Sequence, residues 1–205
     1  MDSSCQKIVL ARHGRTVSNR DGLVMGRSDS QLTSNGIATA LRMAEIVRSE
    51  GIETIFSSCL GRAAFTAALY SEQLGVQVHF RASMAELACG SWEGQPRLDV
   101  TSGSGALRTT WEDRPPGGES YQDAEPRVGK FIEEILDSGF AVPILVVGHA
   151  SVNRVFLRLF LGLDKATAMR VSFPHDTLYI IQGRKEILRR DATGRQRSGL
   201  LFETD

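Results

Sequence analysis

Two histidines stand where short apolar runs stop. Ile8-Val9-Leu10 leads into Arg12-His13-Gly14, and Ile144-Leu145-Val146-Val147 leads into Gly148-His149-Ala150. Such runs read as buried parallel strands, and in an α/β sheet the carboxyl ends of those strands are where ligands bind. His13, flanked by an arginine and followed by a flexible glycine, is a candidate nucleophile in an anion site. Arg62 falls in the first turn of the helix expected after the second strand, and Glu86 opens the irregular stretch after the third. Alone, each has an ordinary reading: a structural strand-end histidine, a surface arginine, a solvated carboxylate. Strand ends in such a sheet converge on one crevice, and it is the joint placement that points to chemistry.

The elements that must position these groups follow from periodicity. Ile37, Ala40, Leu41, Ala44 and Val47 recur at helical spacing, with Thr33 as the expected N-cap and Gly51 as the stop. Residues 52–58 read as a strand, 60–74 as a helix ended by Gly75, and 76–80 as a third strand. A helix over 121–136 precedes the central strand, and an apolar helix over 152–161 follows it, stopped by Gly162. Residues 177–182 and 186–190 read as a hairpin turned at Gly183-Arg184. Strands alternating with helices predict one α/β domain over 1–205, a three-layer fold with a mostly parallel central sheet and helices on both faces. About thirty irregular residues end at Pro115-Pro116-Gly117-Gly118, and a stretch of that length in a compact domain reads as a lid, taken as 91–119. The tail over 191–205 reads as frayed.

Composition narrows the function classes. The chain has 205 residues with zero formal net charge, 23% charged and 41% hydrophobic. No whole-molecule field argues for nucleic acid or a membrane surface as a partner. Arginine supplies 20 of the 24 basic residues, a bias that codon usage explains, so only arginines at named positions count. Cys5, Cys59 and Cys89 lack C-x-x-C spacing, which argues against a disulfide framework or zinc site and for a reducing compartment. No signal-peptide pattern or membrane-length apolar run is present, and the expected location is cytoplasmic. His79 and His175 follow no metal-ligand spacing, and no metal is expected. Trp92 and Trp111 read as packing residues.

Five blocks carry a resemblance. Arg12-His13-Gly14 with Thr16 and Asn19 is similar to R-H-G-x-T-x-x-N, and Ser58 to Ala67 to S-x-L-x-R-A-x-x-T-A. Glu86 with Gly90, Trp92, Glu93 and Gly94 is similar to E-x-x-x-G-x-W-E-G. Pro116-Gly117-Gly118-Glu119-Ser120 matches P-G-G-E-S, and Gly148-His149 the segment of a second catalytic histidine. Together, in this order and spacing, they resemble the histidine phosphatase superfamily, phosphoglycerate mutase-like branch. Ala150 departs from the glycine common after the second histidine.

The resemblance implies that His13 attacks phosphorus and becomes a phosphohistidine, splitting hydrolysis into two transfers. Arg12, Arg62 and Asn19 then donate to the phosphate oxygens, and His149, if protonated, adds a charge-assisted bond. Glu86 is expected to protonate the leaving alkoxide and then take a proton from water. The implied substrate is a small phosphorylated metabolite and no cofactor is implied. Arg15, where many members carry Glu or Gln, adds a cation assigned to substrate binding. Specificity is expected in 15–30 and in the lid, through Arg97, Arg108, Trp111 and Arg114 or through none of them, since solvated charges and one packing aromatic fit equally. A phosphatase is favoured by the Glu86 block and by a chain short for the mutases' insertions. A phosphoglycerate mutase and an inactive phospho-ligand binder are the alternatives, and the oligomeric state, a homodimer included, is left open.

Overall fold

The computed structural model describes residues 7–103, 106–137, 142–184 and 186–202. Cys5 and the far end of the tail lie outside them. The first strand, β1 (Lys7–Arg12), pairs parallel with β4 (Ile144–Gly148) on one side and antiparallel with β5 (Thr177–Gln182) on the other. β2 (Thr54–Ser58) lies between β4 and β3 (Val78–Arg81), parallel to both. Beyond β5 follow β6 (Glu186–Asp191) and β7 (Gln196–Ser198), both antiparallel, giving the order β3-β2-β4-β1-β5-β6-β7. The four consecutive strands β3-β2-β4-β1 run parallel, β5, β6 and β7 pair antiparallel, and the sheet is mixed as a whole. The expected hairpin is β5–β6. The tail that reads as frayed carries β7, and Phe202 bridges back to Val171.

Alternation along β1 explains why the sheet is covered twice. Ile8 and Leu10 face a core shared with α5 (Tyr121–Asp137) and α6 (Ala150–Leu161). Val9 and Ala11 face the other, with α2 (Ser34–Arg48) and α3 (Gly61–Leu74). β4 divides in the same way, Ile144 and Val146 against Leu145 and Val147, and all five of its residues are buried.

Local signals account for the helix ends. Thr33 caps α2 by accepting the Gly36 N–H at 2.9 Å. Gly75 and Gly162 end α3 and α6 with φ of 70° and 71°, the left-handed conformation glycine adopts without strain. Three short helices escape the sequence reading: α1 (Val17–Arg20), α4 (Arg97–Val100) and α7 (Lys165–Arg170). Each is too short for an apolar stripe, and α1 is held by local capping between Thr16 and Asn19.

Candidate active site

The exits of β1 and β4 lie side by side, because the His13 N–H donates to the Gly148 carbonyl at 3.0 Å. His13 is 3% exposed and His149 fully buried, and their ring centroids are 5.0 Å apart. The His13 Nδ1 lies 2.8 Å from the Gly14 carbonyl. A carbonyl only accepts, so Nδ1 carries the proton and Nε2 keeps its lone pair in the neutral ring. Burial, then the nearby His149, Arg12, His175 and Arg62, push the imidazole well below its ordinary value. Gly14 is held in turn by Thr66, whose hydroxyl accepts its N–H at 2.9 Å and donates to the Arg62 carbonyl at 2.7 Å.

A cleft of about 300 Å³ opens over this point, and Arg12, His13, Asn19, Arg62 and Glu86 all line it. His149 does not; it is fully buried, with Nε2 2.8 Å from the Ser58 hydroxyl. Nor does Arg15, whose side chain is exposed while its carbonyl accepts from Thr33. Burial and the cations Arg62, Arg12 and Arg127 push His149 well below its ordinary value. It is therefore neutral as the site stands, and a charge-assisted bond from it requires an anion to raise its pKa.

Backbone carbonyls aim the arginines. Arg12 donates to the Phe173 carbonyl at 2.8 Å, and burial, opposed by Glu86, lowers its pKa to about 10. Arg62 donates to the carbonyls of Gly26 and Ser28, each at 2.7 Å, and pairs with Asp29 at 3.4 Å. Among the described residues, Arg12 Nε, Arg62 Nε and His149 Nδ1 are buried without a hydrogen-bond partner. Orphaned polar atoms are rare in native interiors, and two guanidinium donors of this kind on residues lining one cleft suit it to an acceptor. Asn19 spends its Oδ1 on the N–H and hydroxyl of Thr16, which leaves its amino group for the cleft.

Glu86 replaces a missing helix cap. α6 begins after His149, whose side chain makes no capping bond. The Glu86 carboxylate instead accepts the N–H groups of Ser151 and Val152 at 3.3 and 3.1 Å, and that of Leu87 at 3.0 Å. A carboxylate thus occupies this helix N-terminus, the electropositive end.

The segment 91–119 splits into lining and bracing parts. Arg97, Leu107 and Arg108 line the cleft. Arg108 also donates to the carbonyls of Ala88 and Glu119. Trp111 stacks on Tyr121 at 4.6 Å and donates to Glu125, and Arg114 pairs with Asp123 on the surface. Glu93 accepts the N–H groups of Arg27, Ser28 and Cys89, so it shapes the loop whose carbonyls grip Arg62. Gly26, at φ +50°, leaves no room for a Cβ, which would sit 2.2 Å from the Glu93 carboxylate.

Two site neighbours escape the sequence reading. Arg154 lines the cleft one turn beyond Ala150 and Ser151, a face that helical spacing from His149 would have indicated. His175 lies against His13, and no spacing signal reveals it. Among the described residues no group of three or more His, Cys, Asp or Glu could hold a metal ion, and no helix is long and apolar enough to cross a membrane.

Comparison with known proteins places these features in a wider set. The family model described as "Histidine phosphatase superfamily (branch 1)" matches residues 8–189. A Salmonella newport protein named "Probable phosphoglycerate mutase GpmB" is 32% identical over 162 residues, covering 77% of this chain and 75% of that protein. Among solved structures, a mycobacterial glucosyl-3-phosphoglycerate phosphatase with VO3 superimposes with a TM-score of 0.76 at 23% identity, over 97% of this chain and 99% of that one. The α-ribazole phosphatase from Shigella flexneri gives 0.75 at 24% identity, over 96% of each chain. At these identities the structural matches speak to the fold.

Proposed function

We propose that this chain, which belongs to the histidine phosphatase superfamily, branch 1, hydrolyses a small phosphomonoester through a phosphohistidine on His13, without a metal. The observation that carries the reading is the bare Nε2 of a buried, neutral His13, fixed by the Nδ1 bond to Gly14 in a cleft lined by Arg12 and Arg62. A phosphate monoester is close to dianionic at neutral pH and needs fixed donors around its oxygens. Arg12, Arg62 and the Asn19 amino group supply them. As the dianion settles it raises the pKa of His149, so that the second imidazole gains a proton when it has a charge to face.

In the first transfer, His13 Nε2 forms a bond to phosphorus as the bond to the leaving oxygen breaks. Glu86 gives that oxygen a proton. In the second, water attacks the phosphohistidine, Glu86 recovers a proton from it, and inorganic phosphate leaves with His13 restored. Positive charge comes from arginine throughout, and full turnover in excess EDTA is expected.

The 32% identity to a protein named as a phosphoglycerate mutase supports a second reading, phosphotransfer back to a reoriented product. One experiment tests both. Purified protein is given phosphorylated metabolites, phosphate release is measured beside conversion of 3- to 2-phosphoglycerate, and aliquots are quenched in alkali to trap phosphohistidine. Release of phosphate with a base-stable, acid-labile label is expected. Isomerisation without net release favours the mutase, and turnover without label overturns both readings.

A further inference from the structure

The stretch Phe173–His175 sits just past the point where the β1–β5 ladder ends, at Ala11 opposite Leu178. It grips both consecutive residues at the end of β1. The Phe173 carbonyl accepts from the Arg12 guanidinium at 2.8 Å, and the His175 Nδ1 lies 2.7 Å from the His13 carbonyl. That carbonyl would otherwise lack a ladder partner on the β5 side. The His13 N–H is already bonded to Gly148 of β4, so the peptide units flanking His13 are pinned from β4 on one side and from the connection preceding β5 on the other. The His175 ring also packs edge-on against the His13 ring, centroids 5.2 Å apart and planes at 63°.

We propose that His175 is a positioning residue: its Nδ1–H bond to the His13 carbonyl, with the ring edge against the imidazole, sets the angle at which His13 attacks. This rests on the phosphohistidine reading above. Because the acceptor is a carbonyl, the donor nitrogen of His175 must be Nδ1. Burial, then Arg12, hold His175 at about 3 against the pull of the His13 carbonyl. The bond therefore has one form across the working range, and no added cation appears beside the nucleophile. Reacting atoms must meet within a narrow cone, and a shift of about 1 Å costs roughly 10²-fold in rate.

The test compares His175→Leu, which lacks the donor, with His175→Asn, whose amide reaches close to the position of Nδ1. Phosphoenzyme formation is followed by rapid quench, and inorganic phosphate serves as a competitive inhibitor that reports the cradle alone. Leu should slow phosphorylation by about 10- to 100-fold while the inhibition constant of phosphate holds, and Asn should recover most of the loss. An unchanged rate in Leu overturns the inference. So does a parallel loss of rate and phosphate affinity, or an Asn variant no better than Leu, since each describes bulk packing rather than alignment. An unlabelled wild type overturns the phosphohistidine reading and this inference with it, whereas a labelled wild type beside an equally fast Leu variant removes this inference alone. If Leu does not fold, long-range 1H–15N spectra of the wild type decide: His175 must stay neutral and protonated at Nδ1 from pH 5 to 9, and a titrating or Nε2-protonated ring overturns the assignment.

Discussion

The exits of β1 and β4 are near-copies in sequence, an apolar run and then a histidine beside glycine, yet they are built for different work. At the β1 exit the histidine donates a hydrogen bond from Nδ1–H to the next residue's carbonyl and leaves Nε2 bare at the cleft. At the β4 exit the histidine is fully buried and bonded to the hydroxyl of Ser58, and the chain passes straight into a helix. His13 lines the cleft and His149 does not. The difference teaches that residue type selects the candidates, while the hydrogen bond on the second ring nitrogen assigns the role.

The widest separation between the two exits should come from removing each imidazole. His13→Asn is expected to abolish the phosphoenzyme and lower kcat/KM by about 10⁴-fold or more. His149→Asn should cost about 10²- to 10³-fold, as for loss of one transition-state donor, and should still trap label on rapid quench. Loss of label in both variants would erase the distinction. Next comes the carboxylate that caps α6. Glu86→Gln should slow esters with poor leaving groups by about 10²- to 10³-fold and p-nitrophenyl phosphate far less, because that phenolate leaves without a proton. Equal losses would take proton transfer away from Glu86.

Acid should expose the common cost of burying three imidazole rings. His13, His149 and His175 all have folded pKa values below the ordinary 6.5. Above 6.5 neither folded nor unfolded chain binds these protons, and stability is at its full value. As pH falls below 6.5 the unfolded chain binds them first, so stability declines, by at most about 1.4 kcal/mol per pH unit for each ring. Urea midpoints should therefore drop between pH 7 and pH 5, and less steeply in His13→Asn or His149→Asn. A flat wild-type profile would mean the rings titrate normally. The smallest contrast is between the glycines. A Cβ on Gly148 would meet the buried Asn153 Oδ1 at 2.2 Å, whereas one on Gly14 meets the Gly36 carbonyl at 3.0 Å. Thermal melts should show Gly148→Ala as the costlier change, by about 1–3 kcal/mol.

Much of the fold is legible because it follows local rules. The β-branched run of β4 announces a strand buried on both faces, Thr33 announces a helix start, and Gly75 and Gly162 announce helix ends. The tail misleads: Gln196–Ser198 is polar because an edge strand needs no apolar face, so its pairing leaves no trace in composition. At the site, the strand-end histidines, Arg62 and Glu86 are visible from position alone. Their partners are not, because the carbonyls of Gly26, Ser28 and Phe173 carry no side-chain signature. Nor does periodicity reveal His175, since it lies on an irregular connection. Glu93 and Glu119 look like lid carboxylates in sequence, yet they accept main-chain N–H groups that shape the site's loops.

The grip on Arg12 and His13 from residues 161 and 162 positions away has a consequence for the order of assembly. Contacts of such sequence separation close large loops, which makes them slow to form. β1 can pair with β4 before the chain around residue 173 docks beside it. A refolding molecule would then regain its helical signal first and its turnover last, because His13 leaves the first strand yet is held by a connection far down the chain.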